Sequence, residues 1–485
     1  MRVLLISCYE LGHQPLALAS PAAHLLAYTG VAVECLDLAV DPLDPDKVRR
    51  ADVVGISVPM HTALRLGVRA AARVRALNPA CHICFYGLYS SLNSEYLLAH
   101  FADSVIGGEY ELPLTNLVKS LSNVPGRNGN LEGVSTAVIQ SDPFLGRQVF
   151  LPPIRDLLPP LEKYAHLETG RDLKLAGYVE ASRGCIHTCL HCPITPVYEG
   201  RLRVIQRDVI REDIATLVRM GAQHITFGDP DFLNAITQSL RVARQLHEDF
   251  PELTFDMTTK VEHIVKNPTR FGELRELGCI FIVSAVESLN DRILQYLEKG
   301  HTRDDVERAL EITGQAGIAL RPSLVSFTPW TTLDDYIDVI DFVEEHGLIY
   351  HVDPVQYSIR LLVPPGSSLL NSASLKPFLG NLNQETFSYE WKHPDPRLDI
   401  LQEAVASITE AAARTNEDPA ATFDKIKTLS FSLDRNRRLS PPRPREISTG
   451  ARPPRLTESW FCCAEPTRDQ LIPVTGDLFQ GLAGS

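Results

Sequence analysis

The sequence predicts an α/β protein: an open parallel sheet, then an incomplete (β/α) barrel of six units, a helical segment and an extended cysteine-bearing tail. Two observations lead there. Short apolar runs alternate with amphipathic stretches over residues 1–125 and again over 173–380. Buried strands alternating with helices are the pattern of parallel sheets. The second observation is length: 485 residues exceed one ordinary domain and suggest about three.

In the first region the strand candidates are "RVLLIS", "VAVECLDL", "ADVVGISV", "CHICFYG" and "DSVIGG". Between two of them "HTALRLGVRAAARVRALN" places Leu64, Val68, Ala71, Ala72 and Val74 close to one helical stripe. Ligands of such sheets bind at the carboxyl ends of the strands. Those ends are 8–14, 57–61, 87–90 and 107–109, where small and polar residues dominate. Residues 126–172 read as an extended connector, because two Pro-Pro pairs in "FLPPIRDLLPPLEKY" forbid a continuous helix. The barrel strands are "GYVEASRG", "HITFGDP", "TFDMTTK", "IFIVSAVES", "ALRPSLVSF" and "DPVQYSIRLLV", with helices such as "REDIATLVRMG" between them. Barrel chemistry belongs at the strand C-termini. Residues 381–430 turn helical, and 431–485 form an arm rich in Arg and Pro that cannot build a core.

Composition narrows the function. Sixty acidic residues against 47 basic give a net charge of -13, the reverse of a general nucleic-acid binder. No apolar run reaches the roughly 18–20 residues of a membrane span. "MRVLLISCYELG" reads as a first strand, not a signal peptide. The expectation is a cytoplasmic protein without nucleic-acid or membrane partners, whose ten cysteines are mostly reduced. Clustered thiols then point to metal binding or catalysis, not disulfides.

One cluster follows the first barrel strand. In "SRGCIHTCLHCPITP" Cys185, Cys189 and Cys192 stand at C-x3-C-x2-C. On a helix they would share a face, but Gly184, Thr188 and Pro193 argue for a loop. Zinc would need a fourth ligand, such as His187 or His191. A four-iron cluster held by three thiolates instead leaves one iron open to a small molecule.

This segment resembles the radical S-adenosylmethionine (SAM) enzymes. The resemblance implies a partial TIM-type barrel, a [4Fe–4S] cluster on Cys185, Cys189 and Cys192, SAM on the open iron, and a reductant such as flavodoxin or ferredoxin. Further residues carry it. "FGDPDF" is similar to the family's Gly-Gly-Glu element, which makes Gly228, Asp229 and Pro230 SAM candidates, although Asp229 and Pro230 replace Gly and Glu. "SAVES" is similar to the ribose-binding strand and nominates Ser284 and Glu287, and Arg321 and Ser326 follow on the fifth strand. Position 191 departs from the family: His191 replaces an aromatic residue and becomes a SAM or sulfide contact.

With that barrel behind it, the first region resembles the Rossmann-like cobalamin-binding domain of one large subclass, over about residues 1–122. This implies cobalamin as a further candidate cofactor, with contacts from Gly12, His13, Ser57, His61, Gly87, Gly108 and Glu109. The Asp-x-His-x-x-Gly motif for a lower axial histidine is absent: Leu11 and Leu16 flank His13 in its place.

The tail carries "ESWFCCAEPTRD". Its adjacent Cys462 and Cys463 read as unremarkable thiols, a strained vicinal disulfide, a redox or nucleophilic pair, or ligands for a soft metal or metalloid. "CCAEP" resembles the CUAEP/CCAEP-tail radical SAM (seleno)proteins, in which Cys463 falls on the selenocysteine position. A more distant resemblance is to the radical SAM enzyme of arsinothricin biosynthesis, whose tail motif differs. The flexible arm, some 25–30 residues, spans about 30 Å, enough to bring the pair over the barrel mouth. The expected function is radical modification of a small-molecule or peptide substrate, with Cys462 and Cys463 as catalytic residues. Cobalamin-dependent methyl transfer and carbon–metalloid bond formation are the alternatives, and a non-catalytic metal or cobalamin redox sensor is the non-enzyme reading.

Overall fold

A computed structural model describes residues 1–123, 131–170, 172–434 and 452–458. Residues 435–451 of the predicted 431–485 arm, and both tail thiols, Cys462 and Cys463, lie outside these residues.

The first sheet contains β1 (Arg2–Ser7), β2 (Ala32–Asp37), β3 (Val53–Ser57), β4 (His82–Tyr86), β5 (Ser104–Ile106) and β6 (Val134–Ser135), in the order β2-β1-β3-β4-β5-β6. All pairs are parallel except β5 with β6. The strands are mostly apolar because both faces are covered. Leu4, Ile6, Val54, Ile56, Ile83 and Phe85 enter one core. Their neighbours Val3, Leu5, Val53, Cys84 and Tyr86 enter another on the opposite face. This is the period-two alternation of a doubly covered sheet.

The second sheet begins earlier than the sequence suggests. The hairpin β7 (His166–Thr169) and β8 (Asp172–Val179) opens it, so its first strand falls within the predicted connector. A short ribbon, β9 (Ser182–Gly184) with β10 (Leu202–Val204), follows as a separate pair. Then come β11 (His224–Phe227), β12 (Thr254–Thr259), β13 (Cys279–Glu287) and β14 (Ala319–Leu324). β8, β11, β12, β13 and β14 are mutually parallel and form the half-barrel, with helices such as Arg207–Arg219 and Arg303–Gln315 on its outer face.

The predicted sixth strand, "DPVQYSIRLLV", is corrected. Residues Pro354–Ser358 form a 3-10 turn, and only a single bridge, Phe327 to Arg360, continues the sheet edge. Pro354 suits the first turn of a helix and supplies no N–H for a ladder. Gln356 instead accepts from Leu324 N through its side chain and from Ser326 Oγ through its carbonyl, at 2.9 and 2.8 Å. After the turn come a small hairpin, β15 (Leu379–Asn383) with β16 (Ser388–Trp391), and two helices, Pro396–Thr415 and Pro419–Ser432. Among the described residues no helix is long and apolar enough to cross a membrane.

The two sheets are clamped by the connector. Arg155, fully buried, pairs with Asp213 at 2.8 Å and donates to the Tyr178 carbonyl at 2.6 Å and the Gln14 carbonyl at 3.4 Å. One guanidinium thus ties the loop after β1 to the first strand of the half-barrel. The β15–β16 hairpin reaches back as well: Phe387 is buried in the first sheet's core. The chain end joins last. β17 (Arg455–Leu456) pairs antiparallel with β7 and extends the second sheet.

A candidate active site at the mouth of the half-barrel

Cys185, Cys189 and Cys192 lie in the loop between β9 and β10. The loop is non-helical until Thr195, so a helical stripe is excluded. Gly184 starts it at φ +76, where a methyl group would lie 2.4 Å from the Arg201 carbonyl oxygen. Only glycine closes the loop base that way. At the tip, Leu190 N donates to the Leu297 carbonyl at 3.1 Å. None of the three cysteines is in a disulfide: Cys189 is buried, Cys185 and Cys192 are half-buried. Asn234 Nδ2 donates to Cys185 Sγ at 3.4 Å.

The histidines proposed for zinc are turned to other partners. His187 Nε2 lies 3.1 Å from His263 Nε2. His191 Nε2 lies 3.3 Å from Glu287 Oε1, which also accepts from Lys299 Nζ at 3.2 Å. Burial alone would raise the Glu287 carboxyl, but the Lys299 ammonium and the His191 hydrogen bond outweigh it and hold it down at about 2. Glu287 ends β13 at φ +65, beside a register shift between Ala285 and Glu287. A left-handed glutamate at a strand end is a strained position that marks functional sites. Lys299 is itself buried and interacts electrostatically with the thiols of Cys189 and Cys192. The cysteine loop is therefore held to the end of β13 by an imidazole–carboxylate–ammonium chain.

Register decides which strand residues face the barrel interior. Thr226 pairs with Tyr178 and Asp256, Asp256 with Phe281, and Val283 with Arg321. On the other parity, Ile225, Met257 and Ile282 enter the core shared with the helices. Ser284 pairs with Thr259 and continues that helix-side parity. The structure thus turns the predicted ribose contact Ser284 away from the interior, and its buried hydroxyl has no hydrogen-bond partner. Arg321 does face inward, but low on β14, where Asp353 at 2.7 Å and the Tyr350 carbonyl at 3.2 Å hold it. Ser326 spends its hydroxyl on Gln356. Asp229 is also occupied. Its carboxylate accepts from Ala181 N at 2.9 Å and Ser182 Oγ at 2.5 Å and pins the strand leading into the loop, while burial raises its pKa to about 7. Gly228 has a steric reason: a methyl group there would lie 2.0 Å from Tyr178 Cζ. The backbone there is partly used as well: Gly228 N donates to the Val179 carbonyl at 2.8 Å, and the Gly228 carbonyl accepts from Tyr178 Oη at 3.4 Å.

In the first sheet, His13 stacks on Tyr178 at 4.6 Å between ring centroids. Burial lowers its pKa to about 4, so the ring is neutral. His61 Nε2 donates to the Thr386 carbonyl at 2.7 Å, and its Nδ1 is buried without a partner. Glu109 and Gly108 have packing roles. Glu109 shares Arg183 with Glu111 and accepts from Tyr198 Oη at 3.0 Å. A methyl group on Gly108 would lie 2.4 Å from the Phe144 carbonyl oxygen. Gly87 turns at φ +107 against the Val58 backbone. Ser57 Oγ and Glu10 Oε2 are buried at strand ends without partners. A cavity of about 390 Å³ opens beside Cys8, Tyr9, Gly12, Leu38 and Tyr164, and Glu458 closes one wall. A methyl group at Gly12 would lie 2.9 Å from Glu458 Oε2, so the tail packs directly on this loop.

The family model of the radical SAM superfamily matches residues 179–346, which hold the cysteine loop, Glu287 and Lys299. This chain carries a radical SAM domain. The chain is an enzyme that carries that domain. An uncharacterized methyltransferase of Pyrococcus horikoshii is 22% identical over 347 residues, spanning 70% of this chain and 72% of that one. A bacteriochlorophyllide d C-8(2)-methyltransferase of Chlorobaculum tepidum is 20% identical, over 54% of this chain and 56% of the other. The chain thus spans little more than half of that second relative. Among solved structures, the cobalamin-dependent SAM radical enzyme OxsB with aqua-cobalamin and SAM bound aligns at TM-score 0.66 and 15% identity, covering 85% of this chain and 66% of that one. The radical SAM methyltransferase TsrM of Kitasatospora setae aligns at TM-score 0.57 and 18% identity, over 71% of each chain. These likenesses establish the fold: a parallel sheet followed by a half-barrel.

The residues of the radical SAM domain fit its cofactors. Three thiols on one loop, none of them in a disulfide, suit a cluster with one open iron. Buried His191 Nδ1 has no partner and remains available to a bound group. For cobalamin the fit is divided. The unpartnered Ser57 Oγ and Glu10 Oε2 suit a polar ligand on the strand ends, whereas His13, stacked on Tyr178, lacks the Asp-x-His-x-x-Gly motif of an axial ligand.

Reading the sequence missed four residues of this mouth: Asn234, Asp231, His263 and Lys299. Nothing local in the sequence shows that Lys299 folds back onto Glu287 twelve residues earlier.

Proposed function

We propose that this protein cleaves SAM reductively and uses the resulting radical to modify a small-molecule or peptide substrate, with Cys462 and Cys463 acting on the substrate or intermediate. The observation that carries this reading is the cysteine loop tied through His191, Glu287 and Lys299 to the end of β13. When bound, a [4Fe–4S] cluster on Cys185, Cys189 and Cys192 with SAM on its open iron supplies one-electron cleavage of a carbon–sulfur bond. The chain's own residues do the rest. Lys299 and Glu287 orient His191 toward that centre and place a positive charge beside the thiols. Asp229 fixes the entry to the loop, and the Arg155 and His13 contacts close the first sheet over the barrel.

The anchoring of the tail supports the role of its thiols. β17 pairs with β7, and Glu458 packs on Gly12 at the junction of the two sheets. Cys462 and Cys463 follow Glu458 by four and five residues, a reach of at most about 14–18 Å at full extension. This tether is much shorter than a free arm of the predicted length. A separate electron donor, of the flavodoxin or ferredoxin kind, completes the requirement.

The test is mass spectrometry of SAM-derived products after dithionite reduction of the reconstituted protein. We expect 5'-deoxyadenosine from wild type and from Cys463→Ser, and none from Cys189→Ser. Reduced wild type that carries its cluster and leaves SAM intact overturns the reading. Methylthioadenosine in place of 5'-deoxyadenosine redirects it to cleavage at a different bond. The unpartnered Ser57 and Glu10 atoms favour a second reading, methyl transfer assisted by cobalamin. Stoichiometric cobalamin in protein produced with a cobalamin supply supports it, and its absence removes it.

A further inference from the structure

Beside the cysteine loop lies a group of side chains that the radical SAM reading does not use. His187 comes from the loop itself, Asp231 from the segment after β11, and His263 from the helix Val261–Lys266 after β12. His187 Nε2 and His263 Nε2 are 3.1 Å apart. Asp231 Oδ2 is 3.2 Å from His263 Nε2 and 3.7 Å from His187 Nε2. Three donor atoms from three elements therefore face one point.

We propose that His187, Asp231 and His263 form a second, mononuclear site for a divalent first-row transition metal, separate from the cysteine cluster. Bonds of about 2.1 Å to imidazole nitrogen and carboxylate oxygen put neighbouring donors about 3.0 Å apart at right angles and about 3.4 Å apart at tetrahedral angles. The three separations fall around those values. Two histidines and one carboxylate with open positions are the facial set used by mononuclear Fe(II) centres, and zinc accepts a similar set.

An independent observation points to a cation at this place. Asp231 is 1% exposed, yet its Oδ2 has no hydrogen-bond partner. Its near neighbours are the two imidazole nitrogens, and a buried carboxylate oxygen that makes no hydrogen bond is costly unless a cation meets it. Its other oxygen, Oδ1, is held by Leu233 N at 3.1 Å and Thr259 Oγ1 at 2.8 Å, so Oδ2 is aimed and not free to rotate away. Such outer contacts orient metal ligands. Charge also fits. Lys260 is the neighbouring cation, and Glu262 takes its ammonium at 3.3 Å. Glu262 Oε2 lies 3.7 Å from His187 Nδ1, the nitrogen a metal on Nε2 leaves free. The Asp231 charge then remains for the ion. The histidine side chains are 16% and 14% exposed, so one side of the site is open. A metal with three protein ligands keeps positions there for water or for an oxygen- or nitrogen-bearing substrate group.

The experiment uses the full chain with its cluster reconstituted, and in parallel a cluster-free Cys189→Ser chain. Both carry Cys462→Ser and Cys463→Ser, so the tail thiols add no background. Co2+ is titrated anaerobically, followed by desalting, metal analysis and visible spectroscopy. We expect about one cobalt per chain with nitrogen/oxygen-type bands, in both forms. Asp231→Asn and His263→Gln should each weaken binding at least tenfold while the cluster's visible absorption and far-UV circular dichroism stay unchanged. No retained cobalt in either form, or undiminished cobalt in both variants, overturns the proposal. His263→Gln serves alone if Asp231→Asn does not fold. The cluster-free arm keeps the metal question separate from the radical SAM reading: cobalt bound there stands even if no SAM is cleaved.

Discussion

Lys299→Met removes the ammonium that meets Glu287. Glu287 has side-chain exposure of 11% and Lys299 of 4%, so solvent cannot replace the lost partner. The carboxyl is held at about 2 against an ordinary 4.5, with burial pulling the other way. Each pH unit between those values corresponds to about 1.4 kcal/mol, so the ionised carboxylate, net of its burial, contributes about 3 kcal/mol at neutral pH. Breaking a buried pair from one side costs a similar amount, about 3–5 kcal/mol. The sign follows from the depressed carboxyl: the loss is complete above pH 4.5 and shrinks as pH falls toward about 2. Urea unfolding of the cluster-free protein at stepped pH measures it. The double variant Lys299→Met/Glu287→Gln should recover most of the loss, because the uncompensated charge is gone. Iron per chain after reconstitution should fall with Lys299→Met, since His191 then loses its anchored partner. A loss under 1 kcal/mol at pH 7, or a double variant no better than the single, refutes the chain of contacts as the support of the loop.

Two further outcomes are expected. Ser284→Ala removes a buried hydroxyl that has no partner, so it should stabilise the protein by about 1 kcal/mol and leave SAM affinity in calorimetry unchanged. A tenfold loss of SAM affinity would return Ser284 to the ligand site and contradict the strand register. His61 is buried, with its pKa lowered to about 4 by burial against the Thr386 hydrogen bond. Its neutral form is favoured on folding, so its contribution is full above pH 6.5 and is lost as pH falls through about 4. Relative to His61→Gln, wild type should lose about 1.4 kcal/mol per pH unit across that window. A difference that does not vary with pH refutes it.

Much of the architecture was legible in sequence because it follows local periodicity. The strands of the first sheet alternate between two buried faces, so every apolar run announces itself. "DPVQYSIRLLV" was misread for the same reason: its apolar pattern suits a strand, but Pro354 and the demands of Leu324 and Ser326 on Gln356 turn it into a 3-10 bend. The tail was read as one long arm because composition does not show that Arg455 and Leu456 return to pair with Glu168 and Leu167.

The site divides along the same line. Spacing determined the cysteine loop, since C-x3-C-x2-C sets three thiols within eight residues and needs no distant partner. Tertiary structure alone decided what surrounds it. His191 meets a glutamate 96 residues away, and His187 meets a histidine 76 residues away. Ser284 and Glu287 stand in one five-residue motif, yet register turns the first toward the helices and a bulge at φ +65 turns the second toward the cysteines. A sequence specifies which residues avoid water through short-range pattern. Which buried polar groups meet is set by strand register and loop return, and these emerge only when the whole sheet closes.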